Sequence, residues 1–207
     1  MSRPVRRTSL LVLLALLLWA APASAVTSFD PARRFRRADT VHFTIYFHQG
    51  EDAVAARLAV IVEETYAALR DRFEWRLPPH THVVLVDQSD LANGYATPLP
   101  YNTVVLYGAW PAGHEVIGLA DDWLRLVFTH EFTHIAHLDR SRGWARAVRR
   151  VFGRVPLAFP NLTLPTWQIE GIATYFESAV TDLGRQHAGD FRAIEREPGL
   201  SGQRVPI

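Results

Sequence analysis

The 207 residues include no cysteine, no lysine and a single methionine. Without thiols there is no disulfide framework and no thiolate metal site. Any metal must therefore be held by histidine and carboxylate groups. With 22 basic residues, all arginine, against 21 acidic ones, the formal net charge is +1. So even a balance provides no global field for nucleic acid, and no nucleic-acid partner is expected. Apolar residues make up 48% of the chain, a globular rather than a disordered composition. After the N-terminal region, no apolar run is long enough to span a membrane.

That N-terminal region reads separately from the rest. A basic start (Arg3, Arg6, Arg7) precedes an apolar run from Leu10 to Ala21, then Ala23-Ser24-Ala25. Basic, apolar, small is the order of a cleavable export signal. About 12 strongly apolar residues are too few for a comfortable transmembrane helix. Residues 1–25 are thus expected to be a signal peptide and 26–40 a loose leader. The body, 41–180, should be the functional domain, and 181–207 a polar tail, the start of further structure. Loss of the three arginines takes the charge to about −2. The expected location is outside the cytoplasm, periplasmic or extracellular.

Within the body the apolar period changes several times. Val41, Phe43, Ile45 and Phe47 alternate with polar or half-polar neighbours, which predicts a strand. Residues 51–74 shift to helical spacing, with Leu58, Ile61, Val62 and Leu69 on one face. Short apolar runs at 82–87 and 103–110 read as strands. Between them, Asn93-Gly94 and two prolines mark a turn-rich connection. A long helix is expected from about 120 to 138, a basic amphipathic helix at 141–153, a proline-punctuated loop, and a last helix at 166–179. Asn161-Leu162-Thr163 matches a glycosylation sequon but reads as loop sequence.

The chemistry concentrates in Val127–Arg140, VFTHEFTHIAHLDR. His130 and His134 are four apart, so on a helix they share a face and can reach one ion. Glu131 is turned about 100° from His130, placed to act beside a metal without ligating it. The apolar turn before them, Trp123 to Phe128, carries the cluster into a core, where unpaired polar groups would be costly. A catalytic zinc needs a third ligand. His137 is a poor one, because it lies about 10 Å along the axis from His130; a supporting or solvent-facing role suits it better. Glu170 in PTWQIEGIATYFES is the better candidate. Gly171 beside it should let its helix approach closely, and Thr174 could bond a ligand from behind. Glu177, two turns on, is expected to be an ion-pair or cleft residue.

HEFTH and WQIEGIATYFE together resemble the two motifs of the gluzincin zinc peptidases, in particular aminopeptidase-N-like and peptidase-MA-like catalytic domains. The resemblance implies an α+β zincin fold: a small mixed sheet with an edge strand above the active-site helix, plus a second ligand-bearing helix. It implies Zn2+ held by His130, His134 and Glu170, with Glu131 as general base and Thr174 in support. The function implied is hydrolysis of peptide bonds in a peptide or protein substrate, in endopeptidase fashion. The alternative is a catalytically silent zinc-binding or docking domain of an envelope complex. YGAWP, residues 107–111, sits where those families place the substrate-pairing edge strand, so substrate is expected to add to 103–107. Gly108-Ala109 resembles the start of a G-A-M-E-N motif, but the glutamate that grips a free amino group is missing. No oxyanion residue is evident; Tyr175 is a weak candidate. NGYATPLPYN and the arginine-rich 141–153 resemble envelope proteins that join such a domain to a downstream TolB-like propeller. The 141–153 stretch is also a candidate for contact with a membrane surface.

Overall fold

The computed structural model describes residues 32–87, 93–109, 122–182, 184–187 and 189–201. The expected signal peptide, Trp110, Pro111, Ala120 and Asp121 lie outside them. Five strands and five helices follow in chain order: β1 (Phe35–Asp39), β2 (Phe43–His48), α1 (Asp52–Arg70), β3 (Thr81–Val86), β4 (Gly94–Thr97), β5 (Thr103–Tyr107), α2 (Trp123–Leu138), α3 (Gly143–Phe152), α4 (Thr166–Thr181) and α5 (Gly189–Ser201).

The strands form one mixed sheet in the order β1-β2-β3-β5-β4. β2, β3 and β5 run parallel, and β1 and β4 close the two sides antiparallel. α1 is the crossover between β2 and β3, as parallel neighbours require. Its helical stripe, Ala55, Leu58, Ile61, Val62, Thr65, Tyr66 and Leu69, is buried. The architecture is therefore mixed α+β.

α2 is the centre of the body. Every residue of it except Arg125 is buried, and it touches α1, α4, β4 and β5. Asp122 caps it by accepting the Arg125 N–H at 3.2 Å. Phe128 and Phe132 stack, and both meet Phe43 of β2 edge-on, at centroid distances of 5.5 and 5.1 Å. A helix buried all round brings its polar residues inside with it, so each needs a partner.

Four expectations are corrected. Residues 35–39, read as leader, form β1 and pair with β2 from Phe35↔His48 to Asp39↔Thr44; the charged side chains Arg36, Arg37 and Asp39 suit an outer strand. Part of the turn-rich connection is β4, whose four residues are too short for a period to register against Asn-Gly and proline signals. Consequently β5 is an interior strand between β3 and β4, and the outer position expected of 103–107 belongs to Gly94–Thr97. Finally, Gly171 is exposed with nothing within 4 Å of a Cβ placed there. The α2–α4 contact closes instead over Ala173, which is fully buried. The polar tail also contains a helix, α5.

Replacing Phe43 by alanine should cost about 3–5 kcal/mol, because it removes the ring that joins the sheet to α2. Urea unfolding followed by circular dichroism measures this; a loss under about 1 kcal/mol would contradict the packing described.

Candidate metal centre

α2 and α4 bring His130, His134 and Glu170 together, with one ligand atom from each lying within 4.8 Å of the others. The Nε2 atoms of the two imidazoles are 3.2 Å apart. Glu170 Oε2 lies 3.3 Å from His130 Nε2, and Oε1 lies 3.6 Å from His134 Nε2. Ligands at 2.0–2.1 Å from a tetrahedral ion are separated by about 3.3–3.4 Å. The two imidazole nitrogens have that spacing, and each has one Glu170 oxygen at a similar distance, Oε2 beside His130 and Oε1 beside His134.

The His130 tautomer fits as well, whereas His134 Nδ1 is buried without a hydrogen-bond partner among the described residues. His130 Nδ1 donates to Glu177 Oε2 at 2.6 Å, which leaves the Nε2 lone pair facing the triangle. Burial, reinforced by His130, holds the His134 imidazole well below its ordinary pKa, so it stays neutral and able to ligate. Two lone pairs and a carboxylate facing one point make a site suited to a cation. With no sulfur, two imidazole nitrogens and one carboxylate, the donor set is one that first-row divalent ions accept.

Glu177, expected as an ion-pair or cleft residue, is both: it lines the cleft and pairs with His130. It is 1% exposed, and a carboxylate at that depth is costly unless paired. Its second oxygen, Oε1, accepts the backbone N–H of Arg185 at 3.2 Å and lies 3.7 Å from Arg185 Nε. It thus ties His130 to the chain beyond α4. Thr174, expected behind a ligand, instead accepts from Arg185 Nη1 at 3.1 Å. The supporting role therefore passes from Thr174 to Glu177.

The turn after α4 makes this possible. Asp182 adopts a left-handed conformation and Gly184 a φ of +91°. A Cβ on Gly184 would meet Ser178 Oγ at 2.7 Å and Glu177 Cγ at 3.0 Å. Only glycine lets the backbone lie against Glu177 and turn Arg185 back toward the site.

Glu131 lies beside the triangle, buried, in a cleft of about 400 Å³ that it shares with the three candidate ligands, Gly94 and Arg185. Burial raises its pKa to about 7, with Glu170 adding to the rise and His130 and Arg185 opposing it. β4 runs directly above. A Cβ on Gly94 would lie 2.9 Å from Glu131 Cγ and 3.0 Å from Val127 Cγ2, so the strand approaches α2 as closely as a backbone can.

Three sequence candidates are not brought to the site. Gly108 extends the β5–β3 ladder, its N–H donating to Val86 O at 2.8 Å, and it lines a separate hollow with Tyr107 and Trp123. Ala109 follows it and does not line the cleft. Tyr175 is exposed, packed edge-on against Phe176. His137 is buried rather than solvent-facing; its carbonyl accepts from Asn161 Nδ2 at 2.7 Å. A second cluster, His48, Glu51 and Asp87, also has ligand geometry. There, however, Arg33 Nη1 lies 2.6 Å from His48 Nε2, so a guanidinium already supplies the cation.

Compared with models of known families and with curated proteins, the chain matches none.

Glu177→Ala should weaken zinc binding about 10–100-fold, since it removes the acceptor that orients His130, and Glu177→Gln should weaken it less, since its amide oxygen still accepts but carries no charge. Thr174→Ala should change it little. Titration against a chromogenic chelator reads both, and an equal loss for Thr174→Ala would remove the distinction drawn between them.

Proposed function

We propose that the chain is a zinc-dependent peptidase of gluzincin type, acting on extended segments of peptide or protein. One observation carries the proposal. A His–His–Glu triangle of metal-ligand dimensions lies beside a buried, otherwise unassigned carboxylate, Glu131, under the outer strand of the sheet. A purely structural ion would need no such carboxylate and no open cleft.

His130, His134 and Glu170 would hold the ion, with Glu177 fixing the His130 ring. A bound divalent ion supplies Lewis acidity toward a carbonyl and toward water. Glu131 accepts the proton of the attacking water and returns it to the leaving amine.

Arg185 would take the oxyanion role for which the sequence offered only Tyr175. It lines the same cleft as Glu131, and its guanidinium can donate to a carbonyl oxygen as negative charge develops there. Substrate backbone would add along β4 rather than β5, with β4's outer side supplying the hydrogen bonds. Gly94 lets β4 pack directly against Glu131, which would hold a backbone added to that strand close to the carboxylate. Export belongs to the same proposal and rests on the basic-apolar-small order of residues 1–25.

Glu131→Gln should abolish hydrolysis of a casein or peptide-library substrate while one equivalent of zinc remains bound. Glu170→Ala should lose the zinc too. Full zinc retention in the second variant would overturn the ligand assignment, and undiminished hydrolysis in the first would overturn the mechanism. Arg185→Met should lower kcat about 10²–10³-fold with little change in KM. A rise in KM alone would make it a binding residue instead. Gly94→Val should block activity without changing zinc content, because the side chain would enter the space over Glu131.

A further inference from the structure

α3 lies on the body the wrong way round for an ordinary surface helix. Such a helix turns its apolar stripe to the core. Here only Ala145 is buried, and the polar Arg149 faces inward, its Nη2 donating to Asp139 at 2.9 Å and its guanidinium lying over the Phe159 ring. The apolar side chains point out. Trp144, Val151 and Phe152, with Leu157 and Trp167 further along the same stretch, are between 59% and 73% exposed. Large apolar groups concentrated in one segment in this way mark a contact surface.

The charge of that segment has one sign. Between Asp139 and Glu170 there is no acidic residue, but there are six arginines. Arg142, Arg146 and Arg150 are exposed and have no ion-pair partner among the described residues. Beside α3 a cleft of about 550 Å³ opens against the 75–79 loop, lined by Arg76, Arg140, Arg142, Arg146 and Arg149 with Asp139 as its one acid. Two of these guanidinium groups carry a buried N–H with no acceptor: Arg140 Nε and Arg149 Nε. Arg140 is held below its ordinary pKa by burial and by Arg142. A concave surface lined by five arginines against one acid suits an anion carrying several oxygens, such as phosphate.

An apolar face with aromatic residues, flanked by arginines and a phosphate-sized basic cleft, is the composition of a helix that lies in a lipid–water interface. We infer that α3 and the adjoining arginine cleft dock this protein on an anionic phospholipid surface, with Trp144, Val151 and Phe152 entering the headgroup layer and Arg142 and Arg146 meeting lipid phosphates. No helix among the described residues is long and apolar enough to cross a membrane, so the contact is peripheral. The inference stands whether or not the site on α2 is a peptidase, because it uses none of those residues.

Co-sedimentation of the full chain with vesicles tests it. One set is phosphatidylcholine alone, and the other is equal parts phosphatidylcholine and phosphatidylglycerol. The protein should pellet with the second set only, less as salt is raised. The double variant Arg142→Gln/Arg146→Gln should weaken binding roughly thirtyfold, at about a five- to sixfold effect per arginine. The triple variant Trp144→Ser/Val151→Ser/Phe152→Ser should weaken it at least tenfold. All five positions are exposed, and unchanged circular dichroism confirms intact folding. Equal pelleting with both vesicle sets overturns the inference. So does wild-type-like binding by both variants, which would place the contact in the N-terminal apolar run. Loss in the arginine variant alone would mean a phosphate site rather than a lipid surface. A self-association that the triple variant abolishes, with no vesicle binding, would mean a second copy of the chain covers the face.

Discussion

The Nε2 atoms of His130 and His134 face each other at 3.2 Å inside a helix that is buried on nearly every side. Much of the structure around them follows from that placement. Two unprotonated ring nitrogens so close repel unless a proton or a metal lies between or beside them. Glu170 lies against both nitrogens, and Glu177 accepts the ring hydrogen of His130, so the surroundings are compatible with a cation there. α4 therefore contributes two carboxylates with different tasks. The half-exposed one faces the ion position, and the fully buried one faces the back of a ligand.

Burial also sets the chemistry of Glu131. Its carboxyl lies among the same groups, and desolvation raises its pKa toward neutrality. A cation at the triangle would oppose that rise, so occupancy of the site and the protonation of its neighbour are linked. The close approach of β4 over α2, possible only because residue 94 is glycine, holds the outer strand of the sheet beside this carboxylate. One wall of the cleft is thus backbone, which can recognise an extended chain without regard to its side chains.

The basic surface on α3 is joined to the body by some of its own arginines. Arg149 and Arg154 both reach Asp139, at 2.9 and 3.0 Å, and both lie over Phe159. These contacts use the positive side of the helix as its anchor, which leaves the apolar side uncovered. Trp167, in the first turn of the helix that carries Glu170, belongs to the same exposed stretch. A surface contact there would lie on the element that bears the candidate third ligand.

The sequence by itself determined the local geometry. Histidines four apart on a strongly apolar helix share a face whatever the rest of the chain does, with the glutamate between them turned aside. The 3.6-residue period likewise made α1, α2, α3 and α4 legible, and alternation revealed β2. Tertiary structure decided everything that depends on which segments meet. β4 was hidden because four residues beside Asn-Gly and prolines carry no measurable period, and its discovery moved the outer position away from β5. Spacing pointed to Thr174 as the support and to Glu177 as an ion-pair residue; only the packing of α4 against α2 put Glu177 on His130. Arg185 reaches the cleft through a left-handed turn at Asp182 and Gly184, which brings in a residue from a stretch with weak periodicity. The outward face of α3 was equally undecided, since amphipathicity states that a helix has two sides but not which one the body will cover. Periodicity reports the geometry of a chain with itself over a few turns, and contacts between distant segments leave no such trace.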